Sequence, residues 1–394
     1  MARPRLAALA MLAALAAATP VHAAESGGDL ILDARLRYET VSQDGLQDAQ
    51  ALTLRTRLGY ETPVWRGFRA LAEAENVTAL VDDYNSTTNG RTAYAVVADP
   101  ETTELNRAQV SWSGSRGWAV LGRQRLVLGA ARFVGNVGFR QNEQTFDAFR
   151  VDLRPRKDVT LTYAYLDRIH RVFGDDNPQG EWDSDTHLGQ LDWKRPAGQV
   201  SAYAFLMAFE NAPAQSNATY GARLAGSRAV GGELSATYEA EYARQTDHRN
   251  SPTSFDLDYL ALAGGLKSGT RWASVGVERL GGDGARGFAT PLATLHAFQG
   301  WADVFLTTPA AGVRDINLRA GLSVDAAVPL RLQATAHDFA DADGSTGYGR
   351  ELNLLLAAPI NKHLMAEAKA AFFDGGHPAF ANRTKVWLTL ELKH

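Results

Sequence analysis

The stretch Leu30-Ile31-Leu32-Asp33-Ala34-Arg35-Leu36-Arg37-Tyr38 carries two residue sets on two parities. Leu30, Leu32, Ala34, Leu36 and Tyr38 hold one; Ile31, Asp33, Arg35 and Arg37 hold the other. Side chains along a β-strand point alternately to opposite faces, so this pattern describes a strand between two different solvents. The next segment repeats it, with Leu52, Leu54, Leu58 and Tyr60 alternating with Thr53, Arg55, Arg57 and Gly59. So do Leu234, Ala236, Tyr238, Ala240 and Tyr242 against Glu233, Thr237, Glu239 and Glu241.

Working outward, about 18 segments of this kind run from 30–39 to 382–393, each near the ~9–11 residues that a tilted transmembrane strand needs. The connections alternate in length. Thr62 to Arg66, Ser113 to Arg116, Arg154 to Lys157 and Lys267 to Gly269 are short, whereas 79–103, 126–144, 169–184, 245–254 and 281–312 are long and polar. Segregated loop length is the habit of outer-membrane barrels, with short periplasmic turns and long outer loops. The expected fold is all-β: a transmembrane antiparallel β-barrel of about 18 strands in the cell outer membrane, with both termini on the periplasmic side. The mean hydropathy of −0.23 fits strands that average an apolar and a polar face. Aromatic residues near predicted strand ends, among them Tyr60, Trp65, Trp112, Tyr163, Trp193, Tyr242 and Trp387, suit the headgroup layer.

The start of the chain reads as an export signal. Arg3 and Arg5 precede an apolar run over 6–18, and Val21-His22-Ala23 fits a small-residue cleavage site. Residues 1–23 are thus expected to be a signal peptide and 24–394 the barrel. The absence of cysteine excludes a disulfide framework. A formal net charge of −4 offers no argument for a nucleic-acid partner. No Walker or dinucleotide glycine motif and no Cys/His metal set is present, and the histidines form no nucleophile–base arrangement, so no enzyme is expected.

The polar parity holds the candidate chemistry. A charge facing lipid costs ~2–4 kcal/mol at the midplane, which turns Arg35, Arg37, Arg55, Arg57, Arg123, Arg125 and Arg150 toward the lumen. Rings of Arg select for anions, and the guanidinium fork fits carboxylates. The competing use of these arginines is pairing with acids such as Glu39, Glu73, Glu75 and Glu241 to cancel charge. The run from Arg132 through Arg140 to Ala148 is too dense in Arg, Asn and Gln for a plain outer loop and is expected to fold into the lumen. Asp175, Asp176, Asp183 and Asp185 form an oxygen-rich stretch that is a weak calcium candidate, against the commoner solvated turn. No cofactor is otherwise expected.

Gly122-Arg123-Gln124, Arg132-Phe133-Val134-Gly135 and Arg140-Gln141-Asn142-Glu143-Gln144-Thr145-Phe146-Asp147-Ala148 resemble the signature of the alginate-export family of outer-membrane porins. Thr294-Leu295-His296-Ala297-Phe298-Gln299-Gly300-Trp301-Ala302-Asp303 resembles a second segment of that family, in a long outer loop. The resemblance implies an 18-stranded monomer whose electropositive lumen passes an anionic polysaccharide, with Arg123, Arg125, Arg132, Arg140 and Arg150 along the path. The expected partners are outer-membrane lipid, the barrel-insertion machinery and an alginate-like uronate polymer or oligosaccharide. The alternatives are a general small-solute or anion porin and a structural barrel plugged by 126–144.

Overall fold

A computed structural model describes residues 27–394; the expected signal peptide lies outside the described residues. Eighteen strands follow one another: β1 (Asp29–Gln43), β2 (Ala49–Glu61), β3 (Phe68–Asp83), β4 (Thr102–Gly114), β5 (Gly117–Gln124), β6 (Thr145–Arg156), β7 (Val159–His170), β8 (Glu181–Arg195) and β9 (Gly198–Met207). Then come β10 (Asn217–Gly231), β11 (Leu234–Asp247), β12 (Asp256–Ser268), β13 (Arg271–Leu280), β14 (Val313–Val324), β15 (Leu330–Ala340), β16 (Gly347–Pro359), β17 (Leu364–Gly375) and β18 (Arg383–Lys393). Each pairs antiparallel with the next, and β1 pairs with β18, Arg35 opposite Glu391, so the sheet closes on itself. Closure leaves no unpaired strand edge, the condition for sheet to cross a bilayer. The chain is an outer-membrane barrel.

The parity read from β1 holds around the wall. Leu58, Leu121, Val275, Leu318 and Leu388 are more than half exposed on the outward side. Arg35, Arg55, Glu73, Asp315 and Lys385 are buried on the inward side. Trp65, Trp112, Tyr60, Tyr163 and Tyr242 are exposed as expected of a girdle. Trp387 is not: it is fully buried inside, against Phe139 and His296. Its inward parity, shared with Lys385 and opposite to Leu388, decides this.

Three long connections turn into the barrel instead of outward. The 125–144 loop and the 281–312 loop meet inside, where Gly135 N donates to Leu292 O at 2.8 Å and Thr294 N to Ala131 O at 3.0 Å. The 84–101 loop closes over β1 and β2, and Asp99 Oδ1 accepts from the backbone N–H of Gln141 at 2.8 Å. The segment 294–303 therefore lies within the lumen, where the sequence suggested an outer loop. It is drawn in by the aromatic core that the long-loop half of the barrel encloses. Phe133 packs among Tyr203, Tyr259 and Phe288, and Phe305 among Phe339, Tyr348 and Phe380. Burying such rings contributes roughly 1.5–3 kcal/mol each, which offsets the entropy of ordering long loops.

Candidate functional site

The inward wall of β1–β5 is a lattice of opposed charges. Arg35 forks onto Glu391 (2.7 Å), Arg55 reaches Asp33 (2.6 Å) and Glu391 (3.2 Å), and Arg57 pairs with Glu75 and with Glu143. Arg125 holds Glu143 (2.5 Å) and Glu73 (3.3 Å), and Arg107 holds Glu73 (2.6 Å). These groups border a cavity of about 390 Å³ that reaches the short-turn end, beside Lys393 and His394. Burial opposes ionisation of Glu143, but Arg57 and Arg125 outweigh it and hold its carboxyl below the ordinary range.

A second cluster locks the infolded loops to the wall. Asp303 receives Lys385 (2.7 Å), His296 Nδ1 (2.8 Å) and Arg140 (3.0 Å), and Arg140 also reaches Glu39 (3.2 Å) and Asp99 (3.7 Å). Burial works against the charge on Asp303, yet Lys385, His296 and Arg140 keep its carboxyl well below the usual range. Burial likewise opposes the charge on Arg140, and Glu39, Asp99 and Asp303 overcome it and raise its pKa. His296 goes the other way. Burial and the neighbouring Lys369 push it well below the ordinary imidazole value, against the pull of Asp303. Its Nε2 lies 2.8 Å from Lys369 Nζ and accepts that proton, which leaves Nδ1–H to donate to Asp303. The backbone here is unusual: Val137 (φ 49°), Gln299 (φ 48°) and Asp303 (φ 58°) are left-handed without being glycine. Such strain persists only where surrounding contacts over-determine it. Gly300 (φ 82°) is required, since a Cβ there would stand 2.4 Å from Glu351 Oε2.

Beyond this latch, on the β14–β17 side, is a chamber of about 270 Å³. Its lining includes Lys369, Arg319, Phe139, Trp301, His296 and His337, and no Asp or Glu. Lys369 Nζ rests 4.0 Å from the Trp301 ring and 4.3 Å from the Phe139 ring. It makes no ion pair among the described residues.

The nine arginines singled out from the sequence are thus distributed unevenly. Arg35, Arg37, Arg55, Arg57, Arg125, Arg132, Arg140 and Arg150 face inward; all but Arg37 are engaged in ion pairs. Arg132 is sealed in the plug against Glu278 (2.5 Å) and Gln299 (3.1 Å), and Arg150 stacks on Trp118 and pairs with Asp152 (3.0 Å). Arg123 falls on the other parity, opposite Ala108 and with Leu121, so it stands on the outward side, paired with Asp147 (2.9 Å) near the long-loop rim. The expectation that it lines the lumen is corrected: register places it outside, and a salt-bridged rim position spares it the cost of lipid.

Of the acidic stretch, Asp183 pairs with Arg168 and Asp185 with Arg249, while Asp175 and Asp176 are exposed in the 171–180 loop. Among the described residues, no group of three His, Asp or Glu side chains is gathered for a metal ion. Lys369 and Arg319 were not singled out from the sequence, and Trp301 was noted there only within the 294–303 segment and not as a lumen residue. Only parity marks Lys369, as the inward cation between outward Ala368 and Ala370.

No protein-family model matches the chain, and no curated protein matches it. Solved structures do. OccAB2 of Acinetobacter baumannii is 16% identical with a TM-score of 0.71, over 93% of this chain and 98% of that one. OpdL of Pseudomonas aeruginosa is 14% identical with a TM-score of 0.71, again over 93% and 98%. OpdK of the same organism, solved with vanillate, is 12% identical with a TM-score of 0.69 over 93% and 98%. The fold is that of the Occ and Opd barrels. The resemblance to the alginate-export family is overturned: the barrels this chain matches are Occ and Opd channels, not alginate exporters. The quoted motifs have a local physical cause, because Arg132, Arg140, Gln141 and Gln144 are the struts with which an infolded loop satisfies buried polar groups.

Proposed function

We propose that the barrel is a channel for small anionic solutes, carboxylates in particular, and not a conduit for a uronate polymer. The observation that carries this reading is the chamber: Lys369 and Arg319 with no lining acid, Lys369 resting against the rings of Phe139 and Trp301. A carboxylate there gains charge-assisted hydrogen bonds, and an attached ring or carbon skeleton gains an apolar face. The site is small, and a polymer would have to thread between loops held together by Asp303 and Arg140. Vanillate, the compound in the OpdK structure, matches this size and charge. Weak binding suffices, because a conducting site must also release.

The test is the reversal potential of the purified protein in a planar bilayer under a salt gradient, repeated with vanillate and with a polyuronate. Anion selectivity with saturable block by vanillate supports the reading. Cation selectivity, or block by the polymer alone, overturns it.

A further inference from the structure

The wall between the two cavities is the backbone at 138–139. Gly138 borders the short-turn cavity and Phe139 borders the chamber. The wall strand β1 grips this backbone, with Arg35 Nη1 donating to the carbonyls of Gly138 (3.0 Å) and Arg140 (3.2 Å), and Arg37 Nη1 donating to that of Phe139 (2.5 Å). The Phe139 ring is held differently. His296 stacks on it at 3.5 Å and 10°, and Trp387 meets its edge region at 5.7 Å. Three cations also rest against it: Arg37 and Lys369, each 4.3 Å from the centroid, and more loosely Arg140 at 5.2 Å. Neither Arg37 nor Lys369 makes an ion pair among the described residues, and neither does Arg319 farther along the chamber, whereas Lys385 and Arg140 beside the ring are bound to Asp303 and Glu39.

We infer that Phe139 is the specificity-determining residue of the channel: its ring occupies the cationic surface of Arg37 and Lys369, and a solute passes by taking those cations from the ring. This rests on the small-anion reading above. A ring face attracts a cation weakly, while a carboxylate makes charge-assisted hydrogen bonds to it. An anion therefore displaces the ring, and a neutral solute of the same shape does not. Because β1 holds the backbone, the side chain can swing while the loop stays in place. Removing the ring would leave the partition open to charged and neutral solutes alike.

Liposome swelling with glucuronate and glucose, matched in size and unable to cross the bilayer alone, tests the assignment. The wild-type barrel is expected to admit glucuronate faster than glucose. In Phe139→Ala the ratio of the two rates falls toward one, chiefly because glucose entry rises; a tenfold fall corresponds to about 1.4 kcal/mol. Folding is checked by heat-modifiable migration, and Phe139→Leu serves should the alanine variant fail to insert, since it keeps apolar bulk without the π face. Lys369→Met should lower the ratio from the opposite side, by slowing glucuronate. An unchanged ratio in folded Phe139→Ala or Phe139→Leu overturns the assignment while leaving an anion channel standing. A wild-type ratio near one overturns the small-anion reading, and this inference with it.

Discussion

The β1–β5 wall and the β14–β17 wall of the same lumen both carry cations, and they use them in opposite ways. On the first, Arg35, Arg55, Arg57, Arg107 and Arg125 interleave with Asp33, Glu73, Glu75, Glu143 and Glu391, each of these charges answered by a neighbour, and Arg37, against the Phe139 ring, is the exception. On the second, Lys369 and Arg319 face a chamber without a lining acid, and Lys369 leans on aromatic rings and an imidazole. Charge density alone therefore says little about where an anion would dwell. Paired guanidinium groups hold the wall and the loops in shape; the cation left over is the one with a field to offer a solute.

The comparison is broken most forcefully at Arg140, which ties the three infolded loops to one another and to the wall. Arg140→Met would leave Glu39 and Asp303 to share Lys385 and Asp99 without an ion-pair partner, all of them buried. Removing one partner from a buried network costs roughly 3–5 kcal/mol. The expected outcome is a lower urea midpoint, read by tryptophan fluorescence, together with larger and noisier single-channel conductance as the loops come free. Unchanged conductance would show that the plug is held by its aromatic core alone.

Next in size is Lys369→Met, which keeps the volume and removes the charge. A hydrogen bond to a charged group contributes ~1.5–3 kcal/mol, so carboxylate block should weaken by roughly tenfold or more and the reversal potential should shift toward zero. Arg57→Met on the opposite wall should disturb stability more than selectivity. If the two variants exchange these effects, the division between the walls is wrong.

The fold was legible because its signal is repeated: every strand states the two-solvent parity again, and loop length states the topology a second time. The lumen was legible only in part. Parity placed Arg35 and Arg37 inside, yet nothing along the chain says that Arg35 meets Glu391 while Arg37 meets a phenyl ring, since those partners lie 356 and 102 residues away. The 125–144 run announced its inward fold by an unusual density of donors. The 294–303 segment did not, because its inward docking depends on His296 meeting Phe139 and Trp387 of β18, and on the adjacent Phe305 packing among rings of β15, β16 and β17, which no local pattern connects to it. Arg123 was misplaced because it follows Gly122 in a short strand where adjacent Arg123 and Gln124 are both polar, and only the register against Ala108 and Asp147 separates inside from outside.

Acid should sharpen the picture of the latch. In the closed arrangement His296 is neutral, receiving from Lys369 and donating to Asp303, with Arg140 close by. Released into water, the same imidazole would titrate near 6.5, its ordinary value. The open loop then binds a proton that the closed loop excludes, so acidification below about pH 6.5 favours opening, by up to about 1.4 kcal/mol per pH unit. Asp303 acts in the same direction, its depressed carboxyl losing its stabilising charge only at far lower pH. Open dwell time should lengthen between pH 7 and 5, and His296→Phe, which preserves the stack on Phe139, should flatten the profile. A profile unchanged in that variant would assign the acid response to another group.

The smallest effects separate the two arginines that differ only in side. Arg123 is on the outward rim with Asp147, and Arg150 is inward with Asp152 and Trp118. The Arg123–Asp147 pair is partly exposed and contributes about 0–1 kcal/mol, so Arg123→Ala should not move the urea midpoint by much, whereas Arg150→Ala strands the buried Asp152 and should lower it modestly. Selectivity should distinguish them. Arg150→Ala leaves Asp152 unpaired on the lumen wall and should make the channel slightly less anion-selective, whereas Arg123→Ala changes a charge that no passing solute meets and should leave the reversal potential where it was. A shift in the Arg123 variant equal to that in the Arg150 variant would return Arg123 to the lumen and invalidate the register on which the outward placement rests.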